Sequence, residues 1–212
     1  MTSLTAEGIS FRYAGRPPIF QDRDFSFVGG ATTAVTGASG RGKSTFLYLL
    51  GLMLRPSSGT INIDGQPVSD LPDRARADLR ARNFGFVFQD AALDTNRSVL
   101  ENILEGSLYR GDDLHSAARE AQSLMEQFGV DVPHRSKPGE ISGGQAQRIA
   151  LARALLHSPR FVLADEPTGN LDPTSTDIVL DALRSRAQRG AAVVVVTHDP
   201  AVVQRCDLEV AI

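Results

Sequence analysis

The chain has 212 residues, 42% of them apolar and 22% charged, with a formal net charge of −3. That length carries one domain with a real core, and the composition excludes a disordered, collagenous or low-complexity chain. The charge balance gives no sign of a nucleic-acid partner, and the longest unbroken apolar run, Ala191 to Val196, is far short of the roughly 18 residues of a membrane helix.

In chain order, Ile9, Phe11 and Tyr13 alternate as one strand, Phe25 and Phe27 as a second, and Ala31 to Thr36 forms a third that runs into a Gly-rich turn. From Ser44 the pattern Phe46, Leu47, Leu49, Leu50 is helical, and Arg55-Pro56-Ser57-Ser58-Gly59 ends it. A strand at Thr60 to Ile63 with a turn at Asp64-Gly65, a charged helix at Asp73 to Ala81 and an aromatic strand at Phe84 to Phe88 follow. From Ser98 to Phe128 apolar residues fall at helical spacing, broken at Gly111-Asp112, which reads as a helical insert. A loop over Val130 to Glu140 leads to a helix from Gly143 to Leu156, closed by Pro159. Phe161 to Ala164 and Ala191 to Val196 are continuous apolar runs, the mark of parallel strands buried on both faces, and Asp172-Pro173 opens the helix between them. Strand, helix and strand in that order predict an α/β fold.

The chemistry-bearing residues are few. The lone Cys206 excludes an internal disulfide and reads as a small, partly buried thiol; His115, His134, His157 and His198 lack the paired spacing of a zinc site. Met1 to Ser10 carries no secretory signal, so the chain reads as cytosolic. Among 22 basic residues only Lys43 and Lys137 are lysines, and any function that needs an ammonium falls on one of them.

Gly37-Ala38-Ser39-Gly40-Arg41-Gly42-Lys43-Ser44, followed by Thr45, fits G-x-x-x-x-G-K-[ST] between a predicted strand and a predicted helix. Glycines let backbone amides converge on phosphate oxygens, the helix start adds its dipole, Lys43 can reach the β- and γ-phosphates and Ser44 can hold Mg²⁺. No Asn-Lys-x-Asp element is available, because Lys43 follows Gly42 and Lys137 follows Ser136, which disfavours a GTPase. At the end of the run Phe161 to Ala164 stand Asp165 and Glu166. They suit a metal-organising carboxylate and one that orients or deprotonates water once the chain turns. Ser142 can cap the helix after it, with Gly143 and Gly144 as a second amide surface for an anion or simply as a glycine-rich cap.

With Glu140-Ile141-Ser142-Gly143-Gly144-Gln145 the sequence resembles the ATP-binding cassette (ABC) ATPases, whose signature usually reads LSGGQ, with Ile141 here in the first place. The resemblance covers nearly the whole chain. It implies a P-loop NTPase (RecA-like) core with an N-terminal antiparallel β subdomain and an inserted α-helical subdomain. Residues 1–88 and 158–212 would form the core with the β subdomain, and 89–157 the helical part with the signature. It assigns Tyr13, otherwise one face of a strand, to stacking on adenine. Gln89 takes the glutamine loop that touches Mg²⁺ and the attacking water. Asp172, which can equally cap its helix, falls in the dimer-facing loop Gly169-Asn170-Leu171-Asp172, and His198 is the switch histidine at the γ-phosphate. ATP and Mg²⁺ are the implied ligands, with Ser142, Gly143, Gly144 and Gln145 completing the site of a second cassette in a head-to-tail dimer.

The stretches Ala164 to Asp172, Phe84 to Gln89 and Ser98 to Ile103 resemble the branch that serves lipoprotein-release, macrolide and antimicrobial-peptide exporters, with cell-division ATPases nearby. The implied protein is an ATP hydrolase that energises a separate membrane permease from the cytoplasmic face, without inserting into the bilayer or binding nucleic acid. Relatives usually continue past the stretch Asp207 to Ile212 through one more turn and strand. Three other readings use the same cassette. A DNA-maintenance ATPase needs coiled coils or zinc modules, for which there is neither room nor cysteine, and an inactive cassette needs a missing Lys, Glu or His. A regulator of a membrane or cell-wall partner shares the same hydrolytic residues.

Overall fold

The computed structural model describes residues 2–38, 40–169 and 171–212. The chain runs β1 (Ser3–Phe11), β2 (Phe20–Val28), β3 (Thr32–Thr36), α1 (Lys43–Leu50), β4 (Ser58–Ile63), β5 (Gln66–Pro67), α2 (Asp73–Asn83) and β6 (Phe84–Val87). It continues through α3 (Val99–Arg110), α4 (Leu114–Gln127), a 3₁₀ turn (Pro138–Glu140) and α5 (Gly143–Leu155). The last part is β7 (Phe161–Asp165), α6 (Pro173–Gln188), β8 (Ala192–Val196), α7 (Pro200–Val203) and β9 (Leu208–Ala211). The strands form two sheets: an antiparallel one ordered β2-β1-β4-β5 and a parallel one ordered β6-β7-β8-β3-β9.

The continuous apolar runs are explained by the parallel sheet. Side chains alternate faces along a strand, so both faces must be apolar when both are covered. Phe161 and Leu163 with Val194 and Val196 join one core, while Val162 and Ala164 with Val193 and Val195 join the other. The first core is closed by the antiparallel sheet and α1. Phe46, fully buried, meets the rings of Phe20, Phe25 and Phe27 at centroid distances of 5.8, 4.6 and 6.0 Å. This aromatic knot fixes the start of α1, and truncating Phe46 to alanine costs on the order of 3–5 kcal/mol. The second core joins α3, α4, α5 and α6 to the other face of the sheet, with Ile103, Met125, Ile149 and Leu183 buried together.

The helical insert breaks where its sequence breaks. Gly111 terminates α3 at φ 73°, and Asp113 caps α4 by accepting from the amides of His115 and Ser116. The Ser98 to Ile103 stretch, on which the branch resemblance partly rests, has a structural use. Ser98 and Glu101 form a reciprocal capping box, and fully buried Asn102 donates to the carbonyls of Asp94 and Ser98 at 3.0 Å each. Lys137 is exposed, as a surface charge should be, and its ammonium also donates to the Asn96 carbonyl at 2.8 Å.

Three readings of the sequence need correction. β1 stops at Phe11, so Tyr13 is not its next residue in register but stands in the following loop. β9 was not anticipated, because Leu208-Glu209-Val210-Ala211 is an exposed edge strand without the apolar signal of a buried one. The helix from Asp73 runs two residues past Ala81, to Asn83.

Candidate active site

The strand order β6-β7-β8-β3 brings four loops to one edge. Register aligns Val35, Val196 and Asp165 across β3, β8 and β7, so the residues that follow each emerge side by side at the carboxyl ends of parallel strands. Gln89 follows β6, Glu166 follows β7, and Thr197 and His198 follow β8.

At the Gly-rich loop, Gly42 caps α1 with φ 90°, and a Cβ there would lie 2.2 Å from Ile19 Cγ2, so only glycine fits. Gly40 also lies at positive φ, 77°. Lys43 Nζ donates to the carbonyls of Gly37 at 2.9 Å and Ala38 at 3.3 Å, which curls the loop around the ammonium. Ser39 lies outside the described residues. The Tyr13 ring, 39% exposed, packs edge-on against Phe11 with centroids 5.0 Å apart, and its hydroxyl lies 3.2 Å from Thr45 Oγ1. The aromatic therefore stands beside the first turn of α1 with area left for a planar ligand.

Across from the loop, Ser44 and Asp165 line the same cleft. Burial pushes the Asp165 carboxyl up, the Ser44 hydroxyl holds it down, the Glu166 charge raises it and Lys43 lowers it, with a net upward shift. Glu166 leaves the strand at φ 44°, in the left-handed region that a glutamate enters only at a cost of about 1–3 kcal/mol. That turn lets Glu166 reach the same cleft as Asp165, where strand alternation alone would send it to the opposite face. Its amide donates to the Val196 carbonyl at 2.9 Å. Its carboxylate is held at both oxygens, Oε1 by His198 Nδ1 at 2.6 Å and Oε2 by the Thr197 hydroxyl at 3.2 Å. Glu166 is only 13% exposed at its side chain and His198 77%, so the carboxylate is fixed while the imidazole faces outward.

These groups line one cleft of about 610 Å³: Gly40, Gly42, Lys43, Ser44, Thr45, Gln89, Asp165, Glu166 and His198, together with Ile19. Gly37 lies in an adjoining hollow with Thr197 and His198. Among the described residues, Ser142 to Gln145 and Asp172 do not line the cleft. Ser142 and Gln145 form a capping box: Ser142 Oγ accepts from the Gln145 amide at 3.2 Å, and Gln145 Oε1 accepts from the Ser142 amide at 2.9 Å. The Gly143 and Gly144 amides stand in the first turn, where helix geometry supplies no carbonyl partner. Asp172 caps α6, accepting from the Ser175 amide at 3.0 Å and the Ser175 hydroxyl at 2.6 Å, and these bonds hold its carboxyl below the usual range.

Sequence reasoning passed over two residues of the site. Thr197 is buried and bridges Glu166 to the Asp199 amide, which donates to Thr197 Oγ1 at 3.1 Å; its cue in the sequence is a hydroxyl directly after a strand of alanine and valines. Gln147, buried on α5, donates to the carbonyls of Phe88 at 3.0 Å and Pro167 at 3.1 Å; a buried glutamine is indistinguishable in sequence from an exposed one.

The sequence profile described as "ABC transporter" matches residues 20–169. A lipoprotein-releasing system ATP-binding protein, LolD, from Bordetella pertussis is 40% identical over 209 residues, covering 97% of this chain and 90% of the relative. Its counterpart from Xanthomonas campestris pv. campestris is 42% identical, with 96% and 87% covered. The dimeric structure of MJ0796, described as a bacterial ABC transporter cassette, superposes with a TM-score of 0.90 at 28% identity, covering 99% of this chain and 94% of that one. A dimeric post-hydrolysis state of the same cassette, bound to ADP and Pi, also gives 0.90, at 27% identity. No helix among the described residues is long and apolar enough to cross a membrane. The chain belongs to the ABC transporter family, as an ATP-binding and ATP-hydrolysing subunit that drives a membrane partner.

Proposed function

We propose that the cleft is one half of a composite ATP site, with Lys43 and the loop amides on the phosphates, Glu166 on the attacking water and Tyr13 on the adenine. The observation that carries this reading is the double hold on Glu166. Its two oxygens are fixed by Thr197 and His198 in a cleft that also contains Lys43, Ser44 and Asp165. A carboxylate fixed in this way can accept the proton of a water in line with the γ-phosphate, and His198, exposed beside it, can donate to a γ-phosphate oxygen. Ser44, Asp165 and Gln89 supply the hard oxygen donors that suit Mg²⁺, which takes few protein ligands and completes its shell with phosphate oxygens and water. The buried charge on Asp165 favours a cation there. When bound, Mg²⁺ neutralises charge on the β- and γ-phosphates.

The signature helix supports the other half. Ser142, Gly143, Gly144 and Gln145 end in first-turn amides outside this chain's own cleft, and Asp172 lies at the adjacent start of α6. In a head-to-tail homodimer they would meet the phosphates held by a second copy, so ATP closes the dimer and loss of the γ-phosphate reopens it.

Residues 89–157 form the helical part in this reading, and a groove beside it is the seat for the permease. Stacked Phe84, Phe86 and Phe88 (centroids 6.0 and 5.9 Å apart), with Met53 and Tyr109, line a groove of about 360 Å³. Tyr109 is 74% exposed, an apolar surface fit for a short cytoplasmic helix of a membrane protein. The chain would then lie on the cytoplasmic face of the membrane through that partner. The relatives' names make lipoprotein release the substrate class that we propose. The test compares ATP turnover of the purified chain with that of Glu166→Gln. Turnover should be lost while ATP binding is kept, and a variant that turns over like the native chain contradicts the assignment of Glu166.

A further inference from the structure

The loop that carries Gln89 is held from both sides by the helix that carries the signature. On one side Gln147 Nε2 donates to the carbonyl of Phe88, the residue before Gln89, and to that of Pro167, the residue after Glu166. On the other side the Arg153 guanidinium donates to the carbonyls of Ala91 at 2.7 Å and Ala92 at 2.8 Å. Ala91 and Ala92 are consecutive non-glycine residues at φ 56° and 48°. A backbone in that region persists only where its surroundings over-determine it. Two short, charge-assisted bonds from one planar cation to successive carbonyls are such a constraint.

We propose that Gln147 and Arg153 are positioning residues for ATP hydrolysis, clamping the Gln89 loop so that the Gln89 side chain stays in register with Glu166. The geometry joins three parts in one rigid link: the start of α5 at Ser142, the Gln89 loop and the turn after Glu166. A displacement of α5 against the sheet moves Phe88, Ala91 and Ala92 with it, and Gln89 leaves the cleft as a consequence. Arg153 and Ala92 also line the aromatic groove, with Glu105 close enough to act on the Arg153 charge. A partner seated in the groove therefore rests on the clamp itself.

The inference depends on the reading that Gln89 serves the water or metal, and the test separates the two. Gln147→Leu keeps the volume and removes both donors; Arg153→Lys keeps the charge but removes the planar pair of donors. Each should lower kcat about tenfold, as loss of a residue that orients a ligand does. KM for ATP should stay within about twofold, because the loss falls after binding. In a Gln89→Ala background neither change should lower kcat further, since both act through Gln89. In the nucleotide-free chain, amide exchange over residues 89–92 should accelerate in both variants while β8 stays protected. A merely structural pair gives the opposite pattern, with kcat unchanged or losses additive to Gln89→Ala, and either result overturns the clamp. If Gln147→Leu does not fold, Arg153→Lys decides alone. If Gln89→Ala itself turns over like the native chain, the assignment of Gln89 fails and the clamp fails with it. If Gln89→Ala is impaired and the clamp variants are not, only the clamp fails.

Discussion

The cleft at Lys43 and the helix start at Ser142 both carry backbone amides suited to an anion, yet Ser44, Asp165, Glu166 and His198 gather with Lys43 at the first, while Ser142 lies outside that cleft. Besides Ile19, the cleft gathers residues from 40 to 198, because parallel strands in register deliver four loops to one edge. Ser142 forms its own capping box, the start of α6 stands beside Gly144, and Gly143 lines a small pocket with Gln89. In the proposed composite site, that difference means that folding completes one half-site and leaves the other facing the ligand of a second chain. Variants of the two regions should therefore fail in different ways.

The largest effect is expected at the cleft. Lys43→Ala removes the ammonium around which the loop curls and should lower turnover by at least about 10²-fold, with ATP binding weakened in the same variant. Unchanged turnover in a steady-state assay would remove Lys43 from the site. At the signature, Ser142→Arg should leave nucleotide binding by the single chain intact and abolish ATP-driven self-association, which light scattering reads directly. If ATP binding by the isolated chain falls instead, the two regions are not separate halves. Thr197→Val is a milder probe of the cleft: it frees one oxygen of Glu166, and kcat should fall about tenfold with little change in KM.

Two smaller effects concern stability. Asp165 carries a carboxyl raised by burial, so the folded state loses stability as pH rises from below the ordinary carboxylate range through the raised pKa. Asp165→Asn should melt higher than the native chain at neutral pH, the two should converge in acid, and hydrolysis should be lost; a lower melting temperature at neutral pH would contradict the buried-charge account. His157 lies outside both half-sites, with a pKa lowered to about 4 by burial and by the Arg110 charge. Its unfolded form binds more protons between pH 6.5 and about 4, so stability falls as pH falls through that window. His157→Gln should flatten that part of the melting profile without altering turnover at neutral pH.

Much of this was legible from the residues. The Gly-rich loop, the carboxylate pair, the doubly buried strands and the helix break at Gly111 each carry a local signal that folding did not override. What escaped was set by register and by backbone turns. Tyr13 continues an alternating pattern that the sheet abandons at Phe11, and β9 is an edge strand of four residues, in which the alternation of Leu208 and Val210 is too short to announce it. That the chain turns at Glu166 was legible, but not that it turns through a left-handed backbone that glutamate rarely takes. Thr197, Gln147 and Arg153 bond to partners 20 to 62 residues away, and no spacing in the chain encodes those distances.

The composite site is tested most directly by the mass of the Glu166→Gln variant in solution. With hydrolysis blocked and the ATP-binding groups intact, addition of ATP should convert a one-chain particle into a two-chain particle, and Ser142→Arg in the same background should prevent it. A Glu166→Gln chain that binds ATP fully and keeps the mass of a single chain would contradict the account.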